Sequence, residues 1–121
     1  MLSFRSISLA AAATLVTVAP AFAIPPVPRP APEFVVQLPD GSQTLLSSLK
    51  GTLVCMMFVH TTCPHCQHAT QVMTNLYAEF GPKGFQPVAV SFNTMVKMLV
   101  PDFVRNFQIG FPVGYAESDT V

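Results

Sequence analysis

Thr61-Thr62-Cys63-Pro64-His65-Cys66 stands between two stretches of different pattern, and that position decides how the chain is read. Upstream, Leu53-Val54-Cys55-Met56-Met57-Phe58-Val59 is an unbroken apolar run of strand length, the pattern of a strand covered on both faces. Downstream, Cys66, Ala69, Val72, Met73, Leu76, Tyr77 and Phe80 recur at steps of three and four, with Gln67, His68, Thr70, Gln71, Thr74, Asn75 and Glu79 between them. That is helix periodicity with one buried face. Two cysteines therefore lie where a buried strand ends and a helix begins. A helix start presents unpaired N–H groups and a partial positive charge, and both favour an anion. The thiolate is an anion and the reactive form of cysteine. Thr62 is read as the N-cap and Pro64 as a residue of the first turn, where its missing N–H costs nothing. Cys63 then sits at the exposed end with Cys66 one turn inside, both on one face and within reach of a disulfide.

The rest of the composition narrows the classes. A chain of 121 residues holds one domain at most. Charged residues make up 10% and the formal net charge is zero, which argues against nucleic-acid binding through a basic patch. Ten Phe, six Met and a 50% hydrophobic content suffice for a small core. Three cysteines are too few for a disulfide-stapled scaffold, and Cys55 is the odd one out.

In chain order, Met1 to Ala23 has the form of a secretory signal peptide: Arg5 in the n-region, an apolar run from Ile7 to Ala19, and Ala21-Phe22-Ala23 before a cut after Ala23. The run is short for a bilayer span; an uncleaved anchor is the alternative, and no stable span is expected after cleavage. A secreted or periplasmic destination follows. Residues 24–32 carry Pro25, Pro26, Pro28, Pro30 and Pro32, a stiff extended linker. The folded domain is expected over 33–121. Phe34 to Leu38 is a short strand, Pro39-Asp40-Gly41 a turn, and Thr44 to Leu49 a second short element. After the dithiol helix, Gly81-Pro82-Lys83-Gly84 is a stop. Phe85 to Phe92 is the next strand, so strand, helix and strand form a βαβ unit with parallel strands. Asn93 to Leu99 is ambiguous; Pro101 is expected to start a short helix reaching Phe107, with Phe103, Val104 and Phe107 inward, and Phe111-Pro112-Val113 begins another extended piece.

Strand, Cys-x-x-Cys, helix, strand resembles the thioredoxin arrangement. Ala31-Pro32-Glu33-Phe34, then Asp40-Gly41, then Leu45 to Leu49 with Lys50-Gly51, resembles the lead-in of its TlpA/ResA-like extracytoplasmic branch, with an AhpC/TSA-type frame. Phe103 to Phe107 and Phe111-Pro112-Val113 are similar to that branch's inserted helix and following strand. The resemblance spans about Ala31 to Val121 and implies an α/β thioredoxin-like fold, a central mixed sheet flanked by helices. Three departures stand out. Thr62 replaces the usual Trp before the first cysteine, and Met57 replaces the buried acid of cytoplasmic thioredoxins. The cis-proline that faces the dithiol from a later strand has no clear counterpart. Pro112 fits the inserted strand better, so the domain is expected to be truncated before the C-terminal strand–strand–helix unit, with an unpaired sheet edge.

The chemistry implied is thiol–disulfide exchange, with Cys63 attacking and Cys66 resolving. Pro64 and His65 are the tuning residues between them: Cys-Pro-His-Cys is similar to the periplasmic DsbA-type oxidases, and a His near the thiolate makes a disulfide more oxidising. The frame, in contrast, resembles reductants, so direction stays open. Partners implied are protein thiols or disulfides and a redox partner protein; no cofactor is implied, no metal ligand is assigned, and the substrate-binding residues are not identified. The second reading is a copper- or zinc-binding metallochaperone on the same fold, using Cys63, Cys66 and a nearby His, since His65 and His68 crowd the thiols. His60 and His68 read first as surface or loop residues. A peroxidase reading fails because His60 stands where peroxiredoxins need Thr or Ser, and haem attachment fails because Gln67, not His, follows Cys66. Cys55 reads as core.

Overall fold

Val35–Gln37 (β1) and Gln43–Leu45 (β2) pair antiparallel, Val35 opposite Leu45 and Gln37 opposite Gln43. In the turn between them Gly41 takes φ 87°, and the Asp40 carboxylate accepts the N–H and hydroxyl of Ser42. A 3-10 turn over Leu46–Leu49 leads to Leu53–Val59 (β3), then Pro64–Phe80 (α1), Phe85–Ser91 (β4), Val96–Asn106 (α2) and Val113–Tyr115 (β5). The computed structural model describes residues 27–116. The chain divides into two units, Met1–Pro30 and Ala31–Val121, and every described strand and helix belongs to the second. The signal peptide and cleavage point expected at Met1–Ala23 lie outside the described residues.

The sheet is mixed, in the order β2-β1-β5-β4-β3. β3 and β4 run parallel from Leu53 opposite Phe85 to Val59 opposite Ser91; β4 and β5 are parallel, and β1 meets β5 antiparallel. Both crossovers step the same way, from β3 to β4 to β5. Two right-handed crossovers in one direction must place both helices on one face. The expected sheet flanked by helices is thus one-sided among the described residues. Under α1 and α2 lies a core of Val59, Ala89, Val100, Phe103, Ile109, Phe111 and Val113. On the other face Val36, Val88 and Val90 pack with Phe34, Leu38, Leu49, Val54 and Met56, so the lead-in does there what a helix would.

Four expectations need correcting. β3 is covered on both faces only in part: Met57 and Val59 pack under the helices and Val54 and Met56 on the other face, but Leu53 is 72% and Phe58 48% exposed, and β3 is the outermost strand among the described residues. The apolar stripe of α1 splits in two. Cys66, Met73 and Tyr77 pack on the core with Thr70 fully buried, whereas Ala69, Val72, Leu76 and Phe80 are exposed. Leu53, Leu76, Phe80, Lys83, Gly84 and Phe85 line an open groove of about 290 Å³ there. Cys55, on the same strand, is half-buried rather than sealed in. Finally, α2 starts at Val96, not Pro101, which stands inside it. An interior proline loses one helical hydrogen bond; the burial of Val100 and Phe103 on either side of it holds the helix together. The start is set by Met95, in the left-handed region at φ 59°.

Candidate functional site

β3 ends at the fully buried Val59, and the chain then turns through His60, Thr61 and Thr62 before α1. The N–H of Cys63 donates to the His60 carbonyl at 3.0 Å, and the Cys63 carbonyl accepts the first helical bond, from Gln67, at 3.0 Å. Cys63 itself is therefore the N-cap, with φ −83° and ψ 121°, and Pro64 is the first helical residue. Thr62, expected to cap, lies outside the helix and pairs its hydroxyl with His60 Nδ1 at 3.0 Å. Proline supplies the reason. It disfavours helical geometry in the residue before it, which forces Cys63 into the extended conformation that a cap requires.

This placement puts the sulfur where a capping oxygen normally sits. Cys63 Sγ closes no cap hydrogen bond of full geometry. It is nonetheless held below the usual thiol range, first by the Cys66 backbone N–H, then by the Cys66 thiol, then by the His65 backbone N–H, against a small desolvation cost. Each of these favours the thiolate, and two of the three are orphan donors of the helix start. His65 thus acts on Cys63 through its main chain; its exposed imidazole is not among the causes. Cys63 and Cys66 are both half-buried free thiols, near one another and unbonded. Cys66 faces the helix-side core, where Met57 also packs. Thr62 and Pro64 are exposed beside the outer thiol.

The other histidines stay apart from the thiols. His60 packs edge-on against Phe92 with ring centres 5.8 Å apart, and His68 is exposed on α1. Among the described residues, no group of three or more His, Cys, Asp or Glu side chains is gathered to hold a metal ion. The set of Cys63, Cys66 and a nearby His, the basis of the metallochaperone reading, is therefore not assembled: successive residues of a helix start point in different directions. Pro112 does not face the dithiol either. Its peptide bond is trans, and it leads into β5, which β4 separates from β3.

A cluster that the sequence did not reveal lies behind the loop. Asn93, from the turn after β4, donates from Nδ2 to Thr61 Oγ1 at 3.0 Å, and its Oδ1 accepts the Thr61 N–H at 3.4 Å. Ser91 donates its hydroxyl to the same Oδ1, and Gln67 Nε2 donates to the Thr61 carbonyl at 2.9 Å. β3 and β4 are parallel, so their carboxyl ends fall together. A polar residue just past the end of each strand was the available signal.

A mixed sheet with its dithiol at a strand-to-helix junction defines a protein of the thioredoxin-like class. The chain belongs to the AhpC/TSA family, which it matches over residues 27–121. Thiol-disulfide oxidoreductase ResA of Bacillus subtilis (strain 168) is 35% identical over 83 residues, 69% of this chain and 46% of that protein. ResA of Oceanobacillus iheyensis is 34% identical over 82 residues, 68% of this chain and 42% of that one. Among solved structures, a thioredoxin-family thiol:disulfide interchange protein from Chlorobium tepidum TLS has a TM-score of 0.67 at 27% identity, covering 76% of this chain and 63% of the other. A thiol:disulfide interchange protein from Bacteroides sp. has a TM-score of 0.67 at 22% identity, covering 75% and 59%, a likeness of fold. The chain thus spans about half the length of the curated relatives it matches.

Proposed function

We propose that this chain is a thiol–disulfide oxidoreductase working outside the cytoplasm, with Cys63 as nucleophile and Cys66 as resolving thiol. The observation that carries the reading is the seat of Cys63 at the N-cap of α1, where the first free N–H groups of the helix favour its thiolate. Cys63 S⁻ attacks one sulfur of a substrate disulfide; the other sulfur leaves as a thiolate and takes a proton from water. Cys66, deprotonated, then attacks the Cys63 sulfur, the mixed disulfide breaks, and the substrate leaves as a second thiolate. Two electrons have passed to the substrate, and Cys63 and Cys66 are joined. Run backwards, the same steps oxidise a substrate dithiol. The relatives named for this chemistry support it, as does the half-exposure of the outer thiol, which leaves it open to a protein-sized partner.

The test is trapping. Cys66→Ser removes the resolving step, so incubation with a disulfide-bearing protein should accumulate a mixed disulfide through Cys63. In the unaltered chain, a glutathione redox buffer should join Cys63 to Cys66. Failure of both sulfurs to pair under oxidising buffer would sink the reading. Secretion follows from the leader-like Met1–Ala23, and cleavage after Ala23 is checked by the mass of the exported protein.

A further inference from the structure

We propose that Asn93 is the positioning residue of this site: it holds the loop from Thr61 to Cys63 so that the Cys63 sulfur stands over the first N–H groups of α1. The proposal rests on the dithiol reading for its meaning and on independent geometry for its content. Asn93 is 8% exposed, and its amide is completely used. Oδ1 accepts from the Thr61 N–H and the Ser91 hydroxyl; Nδ2 donates to Thr61 Oγ1 and, at 3.2 Å, to the Thr94 carbonyl. Two of these partners fix the amide's orientation without ambiguity, because a backbone N–H can only donate and a backbone carbonyl can only accept.

The partner that matters is Thr61, itself 5% exposed. Its hydroxyl and N–H are both tied to Asn93, and its carbonyl is tied to Gln67, a residue of the first turn of α1 immediately after Cys66. Thr61 is thus clamped between the turn that follows β4 and the helix that carries the thiols. Two residues further on, the Cys63 N–H closes onto the His60 carbonyl. A loop this short, pinned at both ends, leaves the N-cap residue little freedom. No titratable side chain belongs to the clamp, so it acts by geometry and not by charge.

Asparagine is suited to the task where similar residues are not. A carboxylate at 93 would have no donor for the Thr94 carbonyl and would add an anion behind the thiolate. A leucine would leave the Thr61 N–H buried without a partner.

The experiment follows the ultraviolet absorbance of the Cys63 thiolate against pH in the reduced protein, with Cys55→Ala and Cys66→Ser as background. Asn93→Ala should raise the midpoint by about 0.2–0.7 pH unit, a two- to fivefold loss of thiolate preference, the size of an exposed helix-terminus interaction. Thr61→Val keeps the shape and the backbone contact but removes the hydroxyl; it should move the midpoint the same way by less, and it stands in if Asn93→Ala does not fold. Ser91→Ala removes one of the two donors to Asn93 Oδ1 and leaves both Asn93–Thr61 contacts in place, so it should weaken the fold towards urea and leave the midpoint alone. Wild-type midpoints in Asn93→Ala and Thr61→Val would overturn the proposal. So would a Ser91→Ala shift equal to theirs, which would mean general loosening. Disulfide formation in the unaltered chain is a separate measurement, so failure of the redox reading and failure of this one are told apart.

Discussion

Replacing Gly114 by alanine is the sharpest perturbation this sheet offers. Gly114 lies in β5 where β1 crosses it antiparallel, and an added Cβ would stand 2.2 Å from the Gln37 carbonyl oxygen, 2.7 Å from Val36 Cγ1 and 2.9 Å from the Gln37 carbonyl carbon. Two of those three atoms are backbone, so no rotamer change can relieve the contact. β1 and β5 must part by roughly 1 Å to restore van der Waals distance. β1 is three residues long and meets β5 in one register pair, Gln37 with Tyr115, so parting breaks the pairing outright. Val36, 1% exposed, then loses its seat against Val88 and Val90. Unseating one valine costs about 1.5–3 kcal/mol, and each ladder hydrogen bond lost adds about 1 kcal/mol. The sum, about 2.5–4 kcal/mol, is a large part of the roughly 5–15 kcal/mol that stabilises a domain. At a urea slope near 1–1.5 kcal/mol per M, the midpoint should fall by about 2 M. Urea unfolding followed by far-ultraviolet circular dichroism measures it. A fall under about 0.5 M would show that the two strands yield cheaply and that the close approach is not what demands glycine.

The site should respond to pH with a definite sign. Cys63 has its folded pKa depressed by the Cys66 N–H and thiol and the His65 N–H. Its stabilising contribution is therefore fully present above the unfolded thiol value, near 8.5, and is lost as pH falls through the lower folded value. Urea midpoints of the reduced protein should rise with pH between the two values, and the rise should vanish in Cys63→Ser. At the outermost strand among the described residues, Leu53→Lys should raise the concentration at which light scattering by this chain begins, because an exposed apolar edge strand invites pairing between copies. The thiol count should not change, since Leu53 lies at the opposite end of β3 from Cys63.

The parts of this architecture that follow from local pattern are legible in the sequence. The seven-residue run Leu53–Val59 is β3, and the three- and four-residue steps from Cys66 to Phe80 give α1 its length. Pattern could not say which faces find partners. A continuous apolar run looks the same wherever a strand lies in a sheet, and only the order β2-β1-β5-β4-β3 places β3 outermost among the described residues. The double stripe of α1 is the same ambiguity on a helix: Cys66, Met73 and Tyr77 meet the core, while Val72, Leu76 and Phe80 meet nothing that dense. Pro101 reads as a start because proline favours the first turn, yet packing of Val100 and Phe103 outweighs one lost hydrogen bond. Asn93 carries no local signal of its role because the partner that gives it one, Thr61, is 32 positions away in the chain.

For the proposed exchange chemistry, direction turns on His65, where sequence and geometry part company. The Cys-Pro-His-Cys string resembles an oxidase, on the premise that an imidazole beside the thiolate stabilises the reduced form. In this fold the outer sulfur is favoured by the Cys66 N–H, the Cys66 thiol and the His65 N–H, and the first and last survive any side-chain substitution. His65→Ala should therefore leave the Cys63 midpoint within about 0.3 pH unit, since no imidazole contact is lost. It should also leave the equilibrium with glutathione within about twofold, because a thiolate stabilised equally in both variants gives the same leaving group and the same nucleophile. A rise of a full pH unit, with a matching shift towards the disulfide, would refute this. It would mean the imidazole swings over the sulfur in solution and that the dipeptide, not the helix start, sets the potential.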